Sequence, residues 1–517
     1  MSDKYYITTP IYYPSGTWHL GTCYTTVICD ALARFKRLEG KDVFYLTGTD
    51  EHGQKIEKKA QEAGISPKQF VDKQVDGLIK VWDMLNISYD KFIRTTDDYH
   101  EQAVQKIFRR LYDQGDIYKG YYEGWYCTSC ESFFTDTQLV DGKCPDCGRE
   151  VNRTKEESYF FRLSKYQDRL IQLIEENEEF LQPKSRRNEM LNNFLKKGLE
   201  DIAVSRTSFT WGVPVDFDPK HVVYVWIDAL TNYITALGYG SDDTTLFDRY
   251  WPADLHLMGK EIVRFHSIIW PAMLMALDIP LPKQVYGHGW LLLGGDKMSK
   301  SKGNVIGPME LVERYGVDAV RYFLLREVPF GSDGSYTNRS LLTRINVDLA
   351  NDLGNLVSRS VAMVLKYFDG VVPSVDKVED IDNDLISIAN DMFATVKDYM
   401  DKLDAPSALV EIWKLVQRAN KYIDETMPWT LAKEGDTSRL ATVMYNLIES
   451  IRMVAVLLRA YMVETPDKIF DSIGVPEQLR GFDSMTFGTM PAGYSVVKCP
   501  PLFPRIDIDK DLMEIEG

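Results

Sequence analysis

In the first fifty or so residues, strand-like and helical patterns of hydrophobic residues follow one another along the chain. Residues 4–13, KYYITTPIYY, are rich in β-branched and aromatic side chains and run into Pro-Ser-Gly at 14–16, which predicts a strand followed by a turn. From about residue 21 to 38 the apolar residues recur at helical spacing, and Gly40 follows as a helix stop. The next segment, DVFYLTGTDEHG, predicts a buried strand that ends in a polar loop. Strand, helix and strand together form a βαβ unit, the element from which parallel sheets are built.

This α/β texture is interrupted once and then resumes. Residues 121–150 are dense in glycine, cysteine and aromatic residues, which indicates a small knuckle inserted into the sheet domain. Strand-to-helix patterns return at HVVYVWIDAL (221–230) and continue through LHLMGKEIVRFHSIIWPAM and QVYGHGWLLL. The chain therefore predicts a parallel sheet domain that carries an insertion.

Strand patterns fade after about residue 345, and three apolar stripes at helical spacing follow. Their members are Leu349, Leu353, Leu356, Val357 and Val364; Leu385, Ile388, Met392, Val396, Tyr399 and Leu403; and Leu447, Ile451, Val454, Leu458 and Tyr461. Successive amphipathic helices of this kind predict a helix bundle. The final segment, from about residue 470, is rich in proline and glycine, and we expect it to pack over the body of the protein.

Length and charge narrow the class of protein. A chain of 517 residues suggests about three or four domains. The net charge of −16 argues weakly against a nucleic acid partner, but basic stretches occur at 184–189 and 297–302. We see no apolar run of the ~18 residues that span a bilayer and no secretory signal. These features predict a soluble cytoplasmic protein with no membrane partner.

Four of the seven cysteines, Cys127, Cys130, Cys144 and Cys147, form two C-x-x-C pairs separated by 13 residues. Four thiolates in a tetrahedral array suit Zn²⁺ and leave no open coordination position, so the predicted metal is structural. The alternatives are a redox pair or unrelated cysteines. An odd cysteine count in a long acidic chain indicates a reducing compartment rather than a disulfide framework.

Two short polar motifs have the chemistry of a nucleotide site. HLGT at 19–22 stands where a strand turns into a helix, an arrangement that can hold phosphates at the helix N-terminus. GGDKMSKSKGN at 294–304 places three lysines and two serines between glycines, and such a loop can close on a triphosphate. Taken alone, the lysine-rich segment is better explained as an ordinary solvated loop, and the histidine motif by itself is only a weak signal, since it also fits an ordinary turn.

Together and in this order, the two motifs resemble the HIGH and KMSKS signatures of class I aminoacyl-tRNA synthetases. Within that class the chain is similar to the methionyl-tRNA synthetase family, of the bacterial type with a single zinc knuckle. The matching segments include TTPIYYPSG, LTGTDEHG, YVWIDAL, GKEIVRFH, DLGNLVSR and DETMPW. The insertion is too small for the large editing domain of the isoleucyl, valyl and leucyl enzymes.

The resemblance implies a domain order. It comprises a Rossmann-type catalytic domain (1–118 and 211–310), a connective insertion with the zinc knuckle (119–210), a linker that contacts the tRNA stem (311–347), an all-α anticodon-binding bundle (348–470) and a C-terminal tail that packs back on the body (471–517). It also implies the reaction, which is activation of methionine with ATP to methionyl-adenylate and pyrophosphate, then transfer of methionine to the 3′-terminal adenosine of tRNA(Met), for translation initiation and elongation.

The resemblance also assigns residues around the two substrates. For ATP they are His19, Gly21, Gly259, Lys260, Glu261 and Lys300. For methionine they are Ile11, Tyr13, Asp50, Trp226, Ala229, Tyr233, Ile262 and His266. The Tyr233 hydroxyl and the Ile11 N–H would meet the methionine sulfur, and Asp50 would bind the α-ammonium group. His19, Thr22, Lys297 and Lys300 would act in catalysis, with Mg²⁺ accompanying ATP.

For the tRNA, the resemblance places an anticodon base on Trp429 and base edges against Asn355 and Arg359. The alternatives are a tryptophan buried in the bundle and an ordinary surface Asn/Arg pair. We expect a monomer, because no oligonucleotide-binding dimerisation domain follows the bundle in this sequence.

Three other functions compete with this assignment. The cysteinyl synthetases also use zinc, but their ligands are not two C-x-x-C pairs. A tRNA-independent adenylating nucleotidyltransferase would not need the bundle with Trp429. A catalytically impaired synthetase-like RNA-binding protein is favoured by one residue, Thr22, which stands where the HIGH box has its second histidine.

Overall fold

The structure is a computed structural model that describes residues 3–130, 132–134, 136–145, 147–293, 296–297, 307–498 and 500–516. The chain divides into two compact units. Unit 1 comprises Met1–Cys29, Lys41–Asp83 and Ser88–Trp290, and unit 2 comprises Asp30–Gly40, Met84–Ile87 and Leu291–Gly517.

Unit 1 is an α/β unit. Its strands are β1 (Lys4–Thr8), β2 (Asp42–Thr49), β3 (Lys91–Arg94), β4 (Ile117–Cys127), β5 (Ser132–Phe134), β6 (Asn152–Phe161), β7 (Leu181–Gln182), β8 (Ile202–Ala203), β9 (Ser205–Arg206), β10 (Val222–Val223), β11 (Leu255–Gly259) and β12 (Val285–His288). Its helices are α1 (Leu20–Leu38, whose second half belongs to unit 2), α2 (Gln54–Glu62), α3 (Pro67–Met84), α4 (Asp98–Asp113), α5 (Gln167–Glu176), α6 (Lys184–Asn193), α7 (Val225–Thr235), α8 (Thr245–Tyr250) and α9 (Trp270–Ala276).

The main sheet confirms the predicted parallel βαβ architecture. Six strands lie in the order β3-β2-β1-β11-β12-β7, and every pair in the sheet is parallel. From β1 to β3, successive strands are added towards one side of the sheet, and β11 and β12 are added towards the other side. The order therefore reverses between β1 and β11, and open α/β sheets bind ligands outside the carboxyl ends of the strands at such a switch point.

The cysteine-rich segment forms a structure of its own within unit 1. A four-stranded antiparallel sheet in the order β5-β4-β6-β8 carries it, with a long hairpin between β4 and β6. A small separate core contains Cys127, Phe134, Cys144 and Val151. The edge strand β7 also comes from the range predicted as the insertion, yet it pairs with β12 in the main sheet.

Unit 2 is mainly helical, as the three stripes predict. Its strands are β13 (Leu291–Leu293), β14 (Asp296–Lys297) and β15 (Gly334–Tyr336). Its helices are α10 (Pro308–Tyr315), α11 (Val317–Glu327), α12 (Asn338–Arg344), a π-helical segment (Ile345–Gly354), α13 (Asn355–Tyr367), α14 (Asp380–Asp401), α15 (Ala405–Thr426), α16 (Pro428–Glu434), α17 (Thr437–Leu458), α18 (Thr465–Ile473) and α19 (Ile508–Glu516).

The second stripe needs a small correction. In α14 the buried apolar residues are Leu385, Ala389, Met392, Val396 and Met400. Ile388 and Tyr399, which we expected in the stripe, are half-buried beside it. The observed spacing of four, three, four and four residues and the predicted spacing both follow the helical period. The two differ by one position at two turns, where Ala389 and Met400 are buried instead of their larger neighbours.

Helix α17 is the most apolar of the long helices of unit 2. Among the described residues it alone is long and apolar enough to cross a membrane, with a mean hydropathy of 1.5, although our sequence analysis found no such run. Every residue of that apolar window is buried inside the protein. Its buried charges are paired, Arg439 with Asp382 at 2.6 Å and Arg452 with Glu449 at 2.7 Å. These features are those of a core helix in the bundle.

Candidate active site and metal centre

The predicted methionine residues lie at the switch point of the main sheet. Ile11 and Tyr13 follow β1, Asp50 follows β2, and Ile262 and His266 follow β11. The backbone ladder continues past the ends of β1 and β2, because the Tyr12 N–H donates to the Gly48 carbonyl (2.8 Å) and the Asp50 N–H donates to the Tyr12 carbonyl (3.0 Å). The carboxylate-bearing loop is therefore fixed against the segment that contains Ile11 and Tyr13.

A buried tyrosine–histidine pair connects α7 with the segment after β11. The Tyr233 hydroxyl lies 2.7 Å from His266 Nε2, and His266 Nδ1 lies 2.9 Å from the Ile262 carbonyl. A carbonyl only accepts, so Nδ1 carries the proton of the neutral ring and Tyr233 donates to Nε2. Burial lowers the pKa of His266 to about 4, which keeps the ring neutral at pH 7.

This geometry bears on the predicted contact between Tyr233 and the methionine sulfur. A hydroxyl has one proton, and here Tyr233 gives it to His266. For Tyr233 to donate to a sulfur atom, its oxygen must accept from His266 Nε2–H instead. In that tautomer of the neutral ring Nδ1 carries no proton, so the hydrogen bond from Nδ1 to the Ile262 carbonyl is lost. The pair can thus exchange donor and acceptor roles without any change of charge.

Aromatic side chains of α7 and of the segment after β11 also pack together. The ring of Trp226 stacks on Phe265 with centroids 3.6 Å apart and planes 9° apart. Ala229 is buried one helical turn after Trp226 on α7. Phe265 was not among the predicted residues, although its position between Ile262 and His266 in GKEIVRFH was a signal for it.

Asp50 is 8 % exposed at the end of β2. The adjacent Glu51 is fully buried and its carboxylate accepts from Arg94 at 2.7 and 2.8 Å and from Thr49 and Thr96 at 2.6 Å each. The loop that presents Asp50 is therefore held by a satisfied ionic network, which favours a single position for the Asp50 carboxylate.

A second buried network, which the sequence analysis missed, joins the same loop to α7. Both oxygens of Asp228 are engaged, Oδ2 by His52 Nδ1 at 2.6 Å and Oδ1 by His100 Nε2 at 2.7 Å. His100 Nδ1 lies 2.7 Å from the Thr235 hydroxyl. Burial by itself would lower the pKa of His52, but the charge and hydrogen bond of Asp228 raise it to about 10. His52 is therefore an imidazolium paired with a buried carboxylate.

The predicted phosphate-binding residues lie at the start of α1. His19 directly precedes the helix, and its carbonyl accepts from the Thr22 N–H at 2.9 Å in the first turn. Gly21 and Thr22 occupy its first turn and both are half-buried. The N-terminus of a helix carries partial positive charge and unpaired N–H groups, which suits a phosphate.

Gly259 is the last residue of β11, and Lys260 and Glu261 follow it directly. Glu261 Oε2 accepts from Trp290 Nε1 at 2.7 Å, and Lys260 Nζ lies 4.1 Å from the centre of a Trp290 ring. Trp290 was not predicted as a site residue, although it stands in the quoted segment QVYGHGWLLL.

The lysine loop is only partly described. Lys297 lies in β14, where its backbone pairs with Leu292. Lys300 lies outside the described residues.

The four predicted zinc ligands come together. The Sγ atoms of Cys127, Cys130, Cys144 and Cys147 all lie within 4.8 Å of one another, with 3.6 Å between Cys127 and Cys147 and 3.9 Å between Cys130 and Cys144. A tetrahedral site with Zn–S distances near 2.3 Å requires S···S separations of about 3.8 Å. A hydrogen bond from Cys130 lowers the pKa of Cys127, which favours its thiolate form. The donor set and its geometry fit a closed zinc site.

Zinc content offers a direct test of this cluster. We expect about one zinc per chain by elemental analysis, and we expect Cys144→Ser to lose the metal because three thiolates bind it far more weakly. Cys23→Ala is the matched control, since Cys23 is a buried cysteine outside the cluster. Zinc retained in Cys144→Ser, or lost equally in Cys23→Ala, would contradict the assignment.

The predicted anticodon residues lie on the surface of unit 2. Asn355 and Arg359 are exposed one turn apart on α13, and Arg359 forms an ion pair with Asp424 at 3.2 Å. Trp429 on α16 is 46 % exposed, so the alternative of a tryptophan buried in the bundle is wrong. An exposed indole is suited to stacking on an unpaired base.

Comparisons with known proteins cover the chain almost end to end. The family described as "tRNA synthetases class I (M)" matches residues 5–156 and 148–361, and "Anticodon binding domain of methionyl tRNA ligase" matches residues 372–515. A methionine–tRNA ligase from Caldanaerobacter subterraneus subsp. tengcongensis is 63 % identical over 517 residues, which is 100 % of this chain and 81 % of that protein. A methionine–tRNA ligase from Clostridium tetani is 61 % identical over 99 % of this chain and 80 % of its own length.

Solved structures give the same result. The Mycobacterium tuberculosis methionyl-tRNA synthetase in complex with methionyl-adenylate has a TM-score of 0.93 and 45 % identity, and the match covers 97 % of this chain and 100 % of that one. The apo form of the same enzyme has a TM-score of 0.86 and 42 % identity, with coverage of 98 % and 99 %. The chain therefore belongs to the methionine–tRNA ligase family of class I aminoacyl-tRNA synthetases.

Proposed function

We propose that the protein is an ATP-dependent methionine–tRNA ligase. A carboxylate oxygen of methionine attacks the α-phosphorus of ATP, the bond to the β-phosphate oxygen breaks, and pyrophosphate leaves. A hydroxyl of the 3′-terminal adenosine of tRNA(Met) then attacks the adenylate carbonyl carbon. The ester bond forms, the bond from that carbon to the phosphate oxygen breaks, and AMP and the hydroxyl proton are released. The observation that carries the proposal is the buried set Asp50, Tyr233 and His266 at the switch point of the sheet, in a chain that matches the family over its whole length.

No general base is required in the first step, because the methionine carboxylate is itself the nucleophile. Catalysis then consists of positioning and charge stabilisation. We assign His19, Gly21 and Thr22 at the start of α1 to the phosphates, and Gly259, Lys260 and Glu261 to the nucleoside. The motif match assigns Lys297 and Lys300 to the charge that develops at the α-phosphate. Mg²⁺ with ATP would neutralise the triphosphate.

Methionine would be recognised by charge at one end and by shape at the other. We assign Asp50 to the α-ammonium group through a charge-assisted hydrogen bond. Tyr13, Trp226, Ala229 and Ile262 would surround the flexible thioether, which makes favourable contacts with aromatic rings. Ile11 N–H and Tyr233 would meet the sulfur, and the neutral Tyr233–His266 pair offers no fixed charge to attract a polar analogue.

The remaining assignments concern the tRNA, the metal and the compartment. The exposed Asn355, Arg359 and Trp429 support anticodon binding on unit 2. The closed thiolate cluster supports a structural zinc that shapes the insertion. We propose the predicted domain boundaries and a cytoplasmic location. The monomeric state stays a prediction.

The deciding experiment is ATP–pyrophosphate exchange measured across the natural amino acids. We expect methionine alone to give strong exchange, followed by charging of tRNA(Met). Thr22, in place of the second HIGH histidine, favours a catalytically impaired homologue as the second candidate, and the same assay separates the two. Exchange that is no higher with methionine than with the others would reject the proposal, and exchange without charging would indicate a tRNA-independent adenylating enzyme.

Trp429→Ala tests the anticodon assignment. Loss of one base stack costs about 1–3 kcal/mol, so we expect KM for tRNA(Met) to rise roughly 5- to 150-fold. Methionine-dependent pyrophosphate exchange should not change, because that reaction needs no tRNA. Trp413→Phe is the matched control, since that tryptophan is buried in the bundle and donates to the Asp348 carbonyl. An unchanged KM for tRNA in Trp429→Ala would remove Trp429 from the interface.

A further inference from the structure

Two neighbouring strands of the main sheet bring Trp290 next to Glu261. In the pairing of β11 with β12, Gly259 lies opposite His288. Glu261 and Trp290 are each two residues further along, just past the carboxyl ends of their strands. Because these adjacent parallel strands end together, the indole and the carboxylate lie side by side. They lie at the carboxyl end of the sheet, where α/β sheets of this kind bind nucleotides.

The contacts of Trp290 involve two of the residues assigned to ATP. Its Nε1–H donates to Glu261 Oε2 at 2.7 Å, a charge-assisted hydrogen bond. Its ring lies 4.1 Å from Lys260 Nζ, within the range of a cation–π contact. Gly259 completes the arrangement, because a Cβ at that position would overlap the Glu261 carboxylate. The glutamate side chain therefore folds back over Gly259 and is held there by the indole.

We infer that Trp290 is a positioning residue that holds Glu261 for the ribose hydroxyls of ATP and so makes the enzyme select a ribonucleotide. This inference rests on the proposed function, in which Glu261 binds the ribose. It goes beyond that function by naming a residue to which the proposed function assigns no role and by giving that residue an effect on specificity for the sugar.

The chemistry of the two groups supports this role. Glu261 is solvent-exposed, and an exposed glutamate samples several rotamers that ribose binding would have to reduce to one. A carboxylate offers about four lone-pair positions on two oxygens, so the indole proton uses one and leaves acceptor capacity for hydroxyl groups. An indole N–H only donates and therefore cannot compete with the ribose for those hydroxyls.

The test compares ATP with 2′-deoxy-ATP and 3′-deoxy-ATP in methionine-dependent pyrophosphate exchange. Trp290→Phe keeps an aromatic ring beside Lys260 and removes the N–H, and Trp290→Leu removes both. The matched control is Trp125→Phe, because Trp125 Nε1 also donates to a carboxylate, that of Asp136, in the knuckle. Glu261→Gln and the double variant Trp290→Phe/Glu261→Gln complete a cycle that shows whether Trp290 acts through Glu261.

We expect the parent to prefer ATP over a deoxy analogue by roughly tenfold or more in kcat/KM, as the loss of a hydrogen bond to a charged group predicts. Trp290→Phe should raise KM for ATP by roughly three- to tenfold, change kcat less than about twofold, and bring the preference close to unity. Trp125→Phe should keep the parental preference. The double variant should show the same preference for ATP over the deoxy analogues as Glu261→Gln. Because the preference is a ratio within one protein, a general loss of folded enzyme cancels from it.

Two results would overturn the inference. One is an unchanged ribose preference in both Trp290→Phe and Trp290→Leu. The other is a parent that activates methionine but does not distinguish ATP from its deoxy analogues, a result that leaves the proposed function intact. Calorimetry measures the ratio of the affinities for ATP and 2′-deoxy-ATP without catalysis. If the parent protein gives no pyrophosphate exchange, the proposed function is rejected. The affinity ratio then still decides the role of Trp290.

Discussion

Replacing Asp50 with asparagine is expected to lower kcat/KM for methionine by roughly a hundredfold or more while the protein stays folded. Asp50 is 8 % exposed, so it would pair with the α-ammonium group away from bulk water. Removing one partner of a buried pair costs about 3–5 kcal/mol, because the remaining charge is left uncompensated. Each 1.4 kcal/mol corresponds to about a factor of ten, so a loss of roughly two to three and a half orders of magnitude follows.

The kinetic pattern and a control make this prediction specific. The effect should lie mainly in KM for methionine, with KM for ATP changed little. Asp254→Asn is the matched control, because Asp254 is a largely buried carboxylate that precedes β11 at the opposite end of the sheet, where it accepts from the Tyr6 N–H at 2.8 Å. That variant should lose stability without a change in KM for methionine. Methionine activation by Asp50→Asn within threefold of the parent would remove Asp50 from the pocket.

Much of the site follows from local sequence. The turn from β1 to α1, the polar end of β2 and the two C-x-x-C pairs each have a signal within a few residues, and the structure places Asp50 and the four cysteines accordingly. The stripe in α14 shows where local patterns become imprecise. Ala389 is buried and the larger Ile388 is only half-buried, because the direction in which a side chain points depends on the neighbouring helices as well as on its size.

The residues that sequence reasoning missed act through partners distant in the chain. His52 is two residues from the predicted Asp50, but its partner Asp228 is 176 residues away. Trp290 and Glu261 are 29 residues apart and meet because β11 and β12 are adjacent and in register. Neither pair has a periodicity or a spacing that marks it. Both contacts could be expected from the sequence once the strand order of the sheet is known, because the loops that follow the carboxyl ends of adjacent parallel strands are neighbours.

The largest stability effect is expected for Asp228→Asn. In the parent the buried carboxylate holds two histidines, and the charges of Asp228 and His52 stabilise each other. Replacing the carboxylate leaves His52 with a neutral partner in a site that disfavours its charge. We expect the free energy of unfolding to fall by about 3–5 kcal/mol near pH 6, the range found when a buried ion pair loses one member. Urea unfolding of the parent and the variant measures the difference.

The pH dependence follows from the two pKa shifts. The pKa of His52 rises from 6.5 to about 10, so its contribution to stability is complete below pH 6.5 and is lost as the pH rises towards 10. Burial by itself would raise the pKa of Asp228, but the charge of His52 and the hydrogen bonds of both histidines lower it below 3.8. Its contribution is therefore present above that pH and is lost as the pH falls. The difference between parent and Asp228→Asn should be greatest from about pH 4 to 6.5 and should shrink towards pH 10.

Glu101→Gln distinguishes the effect of the Asp228–His52 pair from the effect of another carboxylate near His52. Glu101 lies 3.5 Å from His52 Nε2 and its side chain is 36 % exposed, so solvent screens it far more than it screens Asp228. We expect that variant to change the free energy of unfolding by less than about 1 kcal/mol. A difference between parent and Asp228→Asn that stays constant from pH 5 to 10 would show that His52 is not charged in the folded protein. In that case the network would hold the Asp50 loop to α7 through neutral hydrogen bonds alone, and the cost of the substitution would fall to the smaller value expected for those bonds.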